Sequence, residues 1–164
     1  MGIADGACNV IAVGSLDWSP DWAWGLPLIV LTVVFHVSGL GLIRERVVHG
    51  NVSRMIERRH HKTAFVVVLG AATLLATCLH GIEAGLWALA YRFVGAIHDF
   101  RHSMLYSLNA ITSYGHTELS LPDHWHLMGA IEALNGWLLF GLTTAFLFAV
   151  IEKVWSSDDR SDHR

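Results

Sequence analysis

Three stretches of the chain carry no Asp, Glu, Lys or Arg: Trp22 to Ile43, Thr63 to Ile82 and Ala133 to Ile151. Each holds about 20 residues, enough to cross a hydrocarbon core of roughly 30 Å at about 1.5 Å rise per residue. One such run fits a buried core helix. Three in 164 residues leave too little polar sequence to cover them in water. The second run continues through Gly85, Leu86, Trp87 and Ala88 to about Tyr91, long enough to tilt. Gly95 and His98 then break the pattern, and Asp99 is placed as the N-cap of a helix from Phe100 to about Thr112. That helix reaches only about 20 Å, too short to span, and its moderate apolarity fits either re-entry or an external surface helix. A polar loop, Thr112-Ser113-Tyr114-Gly115-His116, separates it from the third run.

Composition supports the pattern: 53% hydrophobic residues, 15% charged, and a mean hydropathy of +0.44. Charge placement sets the topology. Of 11 Lys and Arg, six (Arg44, Arg46, Arg54, Arg58, Arg59 and Lys62) lie between the first two spans, and residues 1 to 43 have none. The positive-inside rule therefore predicts an extracytoplasmic tail at 1–21, a first transmembrane helix at 22–43 and a basic cytoplasmic loop at 44–62. The C-terminal tail, 156–164, is polar, expected to fray, and cytoplasmic. Trp18, Trp22 and Trp24 fall at the outer end of the first span, and Trp125 and Trp155 bracket the third, as an aromatic belt requires. The first residues lack the basic segment of a signal peptide. The expected setting is a bacterial inner (plasma) membrane.

The loop and its neighbours point to ion conduction. A half-length helix ending at Thr112 aims its negative dipole end at the loop and favours cations there. Backbone carbonyls in such a loop replace the hydration shell of an ion. Residues 80 to 151 resemble the pore module of the potassium-channel superfamily, especially small bacterial two-helix pores. His80, Glu83, Leu86-Trp87-Ala88 and Tyr91 are similar to the end of its outer helix. Asp99-Phe100 with Met104-Leu105-Tyr106-Ser107-Leu108 are similar to its pore helix, and Gly129 to Gly136 with Leu139 to Ala145 to its inner helix. The resemblance implies an all-α membrane protein: three transmembrane helices plus a re-entrant pore helix and loop, assembling as a tetrameric pore with its pore module at 63–155.

The family filter reads Thr-Thr-(Val or Leu)-Gly-Tyr-Gly-Asp. Aligned without gaps at the pore helix, this chain is two residues short. Aligned on Tyr114-Gly115, Ser113 replaces a glycine and Thr112 the aliphatic residue. Either way fewer well-shaped carbonyl rings remain, so discrimination between potassium and sodium weakens. The resemblance implies a filter of Thr112, Ser113, Tyr114, Gly115 and His116. His116 stands where an acidic residue usually follows, and four copies would form an imidazole ring able to bind a proton or a divalent metal. His98, His102, His124 and His126 share that face without a metal-ligand spacing.

Glu132, Asn135, Gly136 and Gly141 are candidates for pore lining or gating, because the inner helix of that family lines the cavity below the filter; an intersubunit bond behind the filter is the equal alternative for Glu132. Gly136 and Gly141 suit helix packing equally. His80 and Glu83 share a helical face, and an intramembrane carboxylate needs a partner, with His80 or the pore helix in reach. His36 stands alone midway along the first span. Cys8 and Cys78 form no framework. No nucleophile–base constellation or nucleotide motif appears, so an enzyme is not expected. The expected function is a cation channel subunit with no cofactor, whose partners are three further copies, the lipid bilayer and monovalent cations, with no nucleic acid. Two alternatives remain open. One is a non-channel protein binding metal or haem through His36, His80 and Glu83; the other is a non-conducting, channel-like subunit.

Overall fold

The structure, a computed structural model, describes residues 19–49, 61–115 and 120–162, without the side chains of 47–49, 61–64 and 154–162. Residues 1–18 of the expected outer tail, 50–60 of the basic loop, and 116–119 lie outside the described residues. Every regular element described is helical. Helix α1 spans Ser19–Ile43 and continues as a π-helical turn over Arg44–His49. Helix α2 spans His61–Phe93, α3 Phe100–Ile111 and α4 His126–Asp162, the last preceded by a 3₁₀ turn at Asp123–Trp125. Residues 19–21, expected in the tail, begin α1, and the expected frayed end is helical as far as Asp162.

Three helical stretches, Ser19–Arg46, Phe65–Phe93 and Asp123–Lys153, are long and apolar enough to cross a membrane. The distribution of polarity suits that setting. Asp21, Thr32, His36, Glu83, Ser103, Ser107, Glu132 and Asn135 are buried, while Val34, Val66, Leu74, Leu89, Phe93 and Phe148 face outward. In lipid the tails are as apolar as the side chains, so helices associate through close packing and internal hydrogen bonds. Helix α2 presents Ala72 and Ala76, then Ala84 and Ala88, all buried, as small-residue steps against its neighbours. Helix α1 runs antiparallel to α2, with Gly39 against Leu79, and alongside α4, with Gly25 against Ile131.

One end of the bundle is tied down by a contact that the charge pattern does not reveal. The first turn of α4 leaves backbone N–H groups without helical partners. Asp21, buried near the start of α1, accepts the Met128 N–H at 2.9 Å and sets its negative charge at the positive end of α4.

Helix α3 packs between α2 and α4. Asp99 caps it: its extended backbone (φ −93°, ψ 130°) lets the carboxylate accept the His102 N–H at 3.1 Å. From there α3 descends along α4, with Tyr106 against Gly129, Ser107 bonded to Glu132, and Ile111 against Gly136. Its end thus lies roughly 15 Å past the start of α4, at about 1.5 Å per residue.

Candidate functional site

The candidate filter begins where α3 stops. Thr112 is its C-cap, and Ser113 follows in the left-handed region at φ 55°. The Ser113 N–H turns back to the Ala110 carbonyl and the Tyr114 N–H to that of Asn109, each at 2.9 Å, the pattern of a Schellman cap. This cap usually takes glycine, so Ser113 bears strain that its side chain helps to hold by accepting the Trp137 indole N–H at 3.0 Å. Gly115 is also left-handed, at φ 89°, a conformation that glycine adopts without strain. Tyr114 between them is 84% exposed within the single chain. The structure therefore brings Thr112 to Gly115 together at the C-terminal end of α3, whereas His116 lies outside the described residues.

Behind this loop a buried polar network joins α2, α3 and α4. The Tyr91 hydroxyl donates to Glu132 Oε2 at 2.6 Å. Ser107 Oγ lies 2.7 Å from the Ala84 carbonyl oxygen and in close contact with Glu132 Oε1. A serine has one hydroxyl proton. If Ser107 gives it to Ala84, its bond to Glu132 takes the proton of a neutral carboxylic acid. That state also suits a group fully buried among α2, α3 and α4, with no Lys, Arg or His in its hydrogen bonds.

The candidate lining residues take different places. Asn135 is buried and donates to Thr32 Oγ1 on α1 at 2.9 Å. A Cβ at Gly136 would collide with the Ile111 carbonyl oxygen, so glycine there admits the backbone of α3. Gly141 has open space around it. The outward stripe of α4 carries Leu134, Trp137, Leu138, Gly141 and Phe148.

A second polar cluster lies deeper. His36, isolated in the sequence, donates or accepts through both ring nitrogens: Nδ1 is 2.8 Å from Glu83 Oε1, and Nε2 is 2.9 Å from Thr143 Oγ1. His80 Nε2 meets the same Thr143 hydroxyl at 3.0 Å. Its Nδ1 faces Glu83 Oε2 at 3.3 Å, too poorly aligned to form a hydrogen bond. The cluster pins α1, α2 and α4 together, and its rings pack on one another and on Phe140.

No known protein family, curated protein or solved structure matches this chain.

At the loop end of the bundle His98, His102, His124 and His126 are exposed. Among the described residues the one grouping of three ligand side chains is His36, His80 and Glu83. Cys78 is a free, outward-facing thiol on α2. Tyr91, Ser107, Thr32, Thr143 and Asp21 were not singled out as partners from the sequence. The signal for Thr143 is its place in a run without charge, and for Asp21 its position at the edge of a span, whereas Ser107 shares its helix with Arg101, His102, Ser103 and Asn109 and has none.

Asp99 offers a pH test. The His102 N–H holds its carboxyl below the usual carboxylate value of about 3.9. A lowered carboxylate stabilises the fold above the ordinary value and loses that contribution as pH falls through the lowered one. Asp99→Ala is therefore expected to raise amide exchange in the first turn of α3 at neutral pH, with the difference from the parent protein vanishing in strong acid. Exchange mass spectrometry over Phe100 to Met104 reads it.

Proposed function

We propose that this chain is one subunit of a homotetrameric pore-loop channel passing monovalent cations, with α3 as a re-entrant pore helix and Thr112 to Gly115 as the filter strand. The observation that carries this reading is the seat of α3. A helix of 12 residues, too short to span, is drawn down between two spans by Ser107, Glu132 and Gly136 and released into two left-handed residues. Irregular backbone at membrane depth is tolerated where it is buried in protein or lines water, and the C-terminal end of α3 supplies the partial negative charge that attracts a cation. On this reading the loop faces the extracytoplasmic side, the basic 44–62 segment faces the cytoplasm, and the membrane is a bacterial plasma membrane.

One loop cannot surround an ion, so the reading requires several copies around an axis. Surface for this assembly is present on the same side as the filter. Leu105, Leu108 and Thr112 of α3 and Leu134, Trp137 and Leu138 of α4 are exposed in the single chain. Native mass measurement in lipid nanodiscs is expected to give four chains per particle, and liposomes holding the protein are expected to release potassium. A monomer in nanodiscs with sealed liposomes would overturn the proposal.

A further inference from the structure

We infer that His36, His80 and Glu83 form an intramembrane binding site for a divalent transition metal of the zinc class. This does not rest on the channel reading.

The argument is a count of hydrogens and lone pairs. A neutral imidazole carries one N–H and one bare lone pair. With Glu83 ionised, the His36 Nδ1 that lies 2.8 Å from its Oε1 carries the hydrogen, and the His36 Nε2 is bare and accepts from the Thr143 hydroxyl. The Thr143 proton is then spent, and His80 Nε2 can bond the same oxygen only as an N–H donor. With both rings neutral, His80 Nδ1 is left as a bare lone pair. It points at Glu83 Oε2, another lone-pair atom, across 3.3 Å. Neither atom has a hydrogen-bond partner, and Glu83 is fully buried. Two buried electron-pair donors facing one another in an apolar setting call for a cation between them.

Geometry favours a metal in that place. The donor atoms of His36, His80 and Glu83 all lie within 4.8 Å of one another. A tetrahedral zinc with bonds of roughly 2.0–2.1 Å holds its ligand atoms about 3.3 Å apart. That is the His80–Glu83 separation. With metal on both Nδ1 atoms, each Nε2 becomes an N–H donor, and the two lone pairs of Thr143 Oγ1 accept both. Thr143 thereby fixes the orientation of two ligand rings, the usual task of an outer-shell oxygen. Two imidazoles and one carboxylate leave a zinc site at +1, and a water acidified to hydroxide in the fourth position offsets that charge.

The test uses tag-free, full-length protein in detergent, with Co²⁺ as a coloured probe for Zn²⁺. We expect one Co²⁺ per chain, visible d–d bands of a tetrahedral N/O site, and displacement by Zn²⁺. His80→Ala and Glu83→Gln should each weaken binding beyond the roughly 10–100-fold typical of an outer-shell loss. A variant with His98, His102, His116, His124 and His126 all replaced by Gln should keep the bands. X-ray absorption of the zinc-loaded parent protein should show two imidazoles and one carboxylate, which keeps the inference testable if the single variants do not fold. Absence of tetrahedral bands, or bands lost with the outer histidines and kept in His80→Ala, would overturn it. Neither readout depends on ion flux, so failure here leaves the channel proposal standing, and the reverse also holds.

Discussion

Gly136→Ala is expected to destabilise the protein by about 2 kcal/mol or more, a large effect for one methyl group on a helix. Alanine ordinarily gains about 1 kcal/mol over glycine inside a helix. Here the new Cβ meets the carbonyl oxygen of Ile111, a backbone atom that cannot rotate aside. Overpacking of this kind costs about 1–3 kcal/mol, and the shift of α3 also strains the bonds of Ser107 to Ala84 and Glu132. Gly141→Ala is the control, because its Cβ enters open space within the chain and should leave stability unchanged or raise it. Thermal unfolding of the two variants in one detergent reads the contrast. Equal midpoints would mean that Gly136 is not a close-approach residue, and a hinge role would be the better account.

Gly115→Val is expected to abolish cation flux while the protein still folds. The Gly115 backbone lies at φ 89°, where a β-branched residue is a severe outlier. Valine must therefore move to another backbone region, and the carbonyl that follows Tyr114 turns with it. Among the described residues, chain neighbours aside, nothing lies within 4 Å of a Cβ added there, so the bundle of α1 to α4 has no reason to collapse. Flux below a tenth of the parent level from liposomes, with an unchanged unfolding midpoint, is the expected pair of results. Undiminished flux would place the ion path elsewhere.

Much of the architecture could be read from the chain. Runs without charge located the three long helices, because lipid tolerates ionised side chains so poorly that their absence is itself a signal. Asp99 marked the start of α3 because a short acidic side chain before an amphipathic turn has little else to do there. The polar interior was less legible. His36 looked solitary because its partners, Glu83 and Thr143, are brought to it only by helix packing. Spacing alone leaves Glu132 facing either a cavity or another subunit behind the filter, whereas within the chain its hydrogen bonds run to Tyr91 and Ser107. Spacing along one helix shows which residues share a face, and says nothing of which neighbour that face meets. Gly136 carried the same ambiguity, since a glycine that bends a helix and one that admits a backbone look alike until the neighbour is placed.

The central claim is that α3 and the Thr112–Gly115 loop form a cation path. Its most direct measurement is the reversal potential of reconstituted protein in a planar bilayer, with potassium chloride on one side and sodium chloride on the other. Chloride should not pass, because in the proposed tetramer the negative ends of four α3 helices would face the ion path. Potassium should be favoured over sodium only modestly, because Thr112 to Gly115 offers fewer carbonyl rings than the family pattern. The account predicts a cation current reversing a little toward the potassium equilibrium potential. A chloride current, or no current in a preparation shown to be tetrameric, would contradict it.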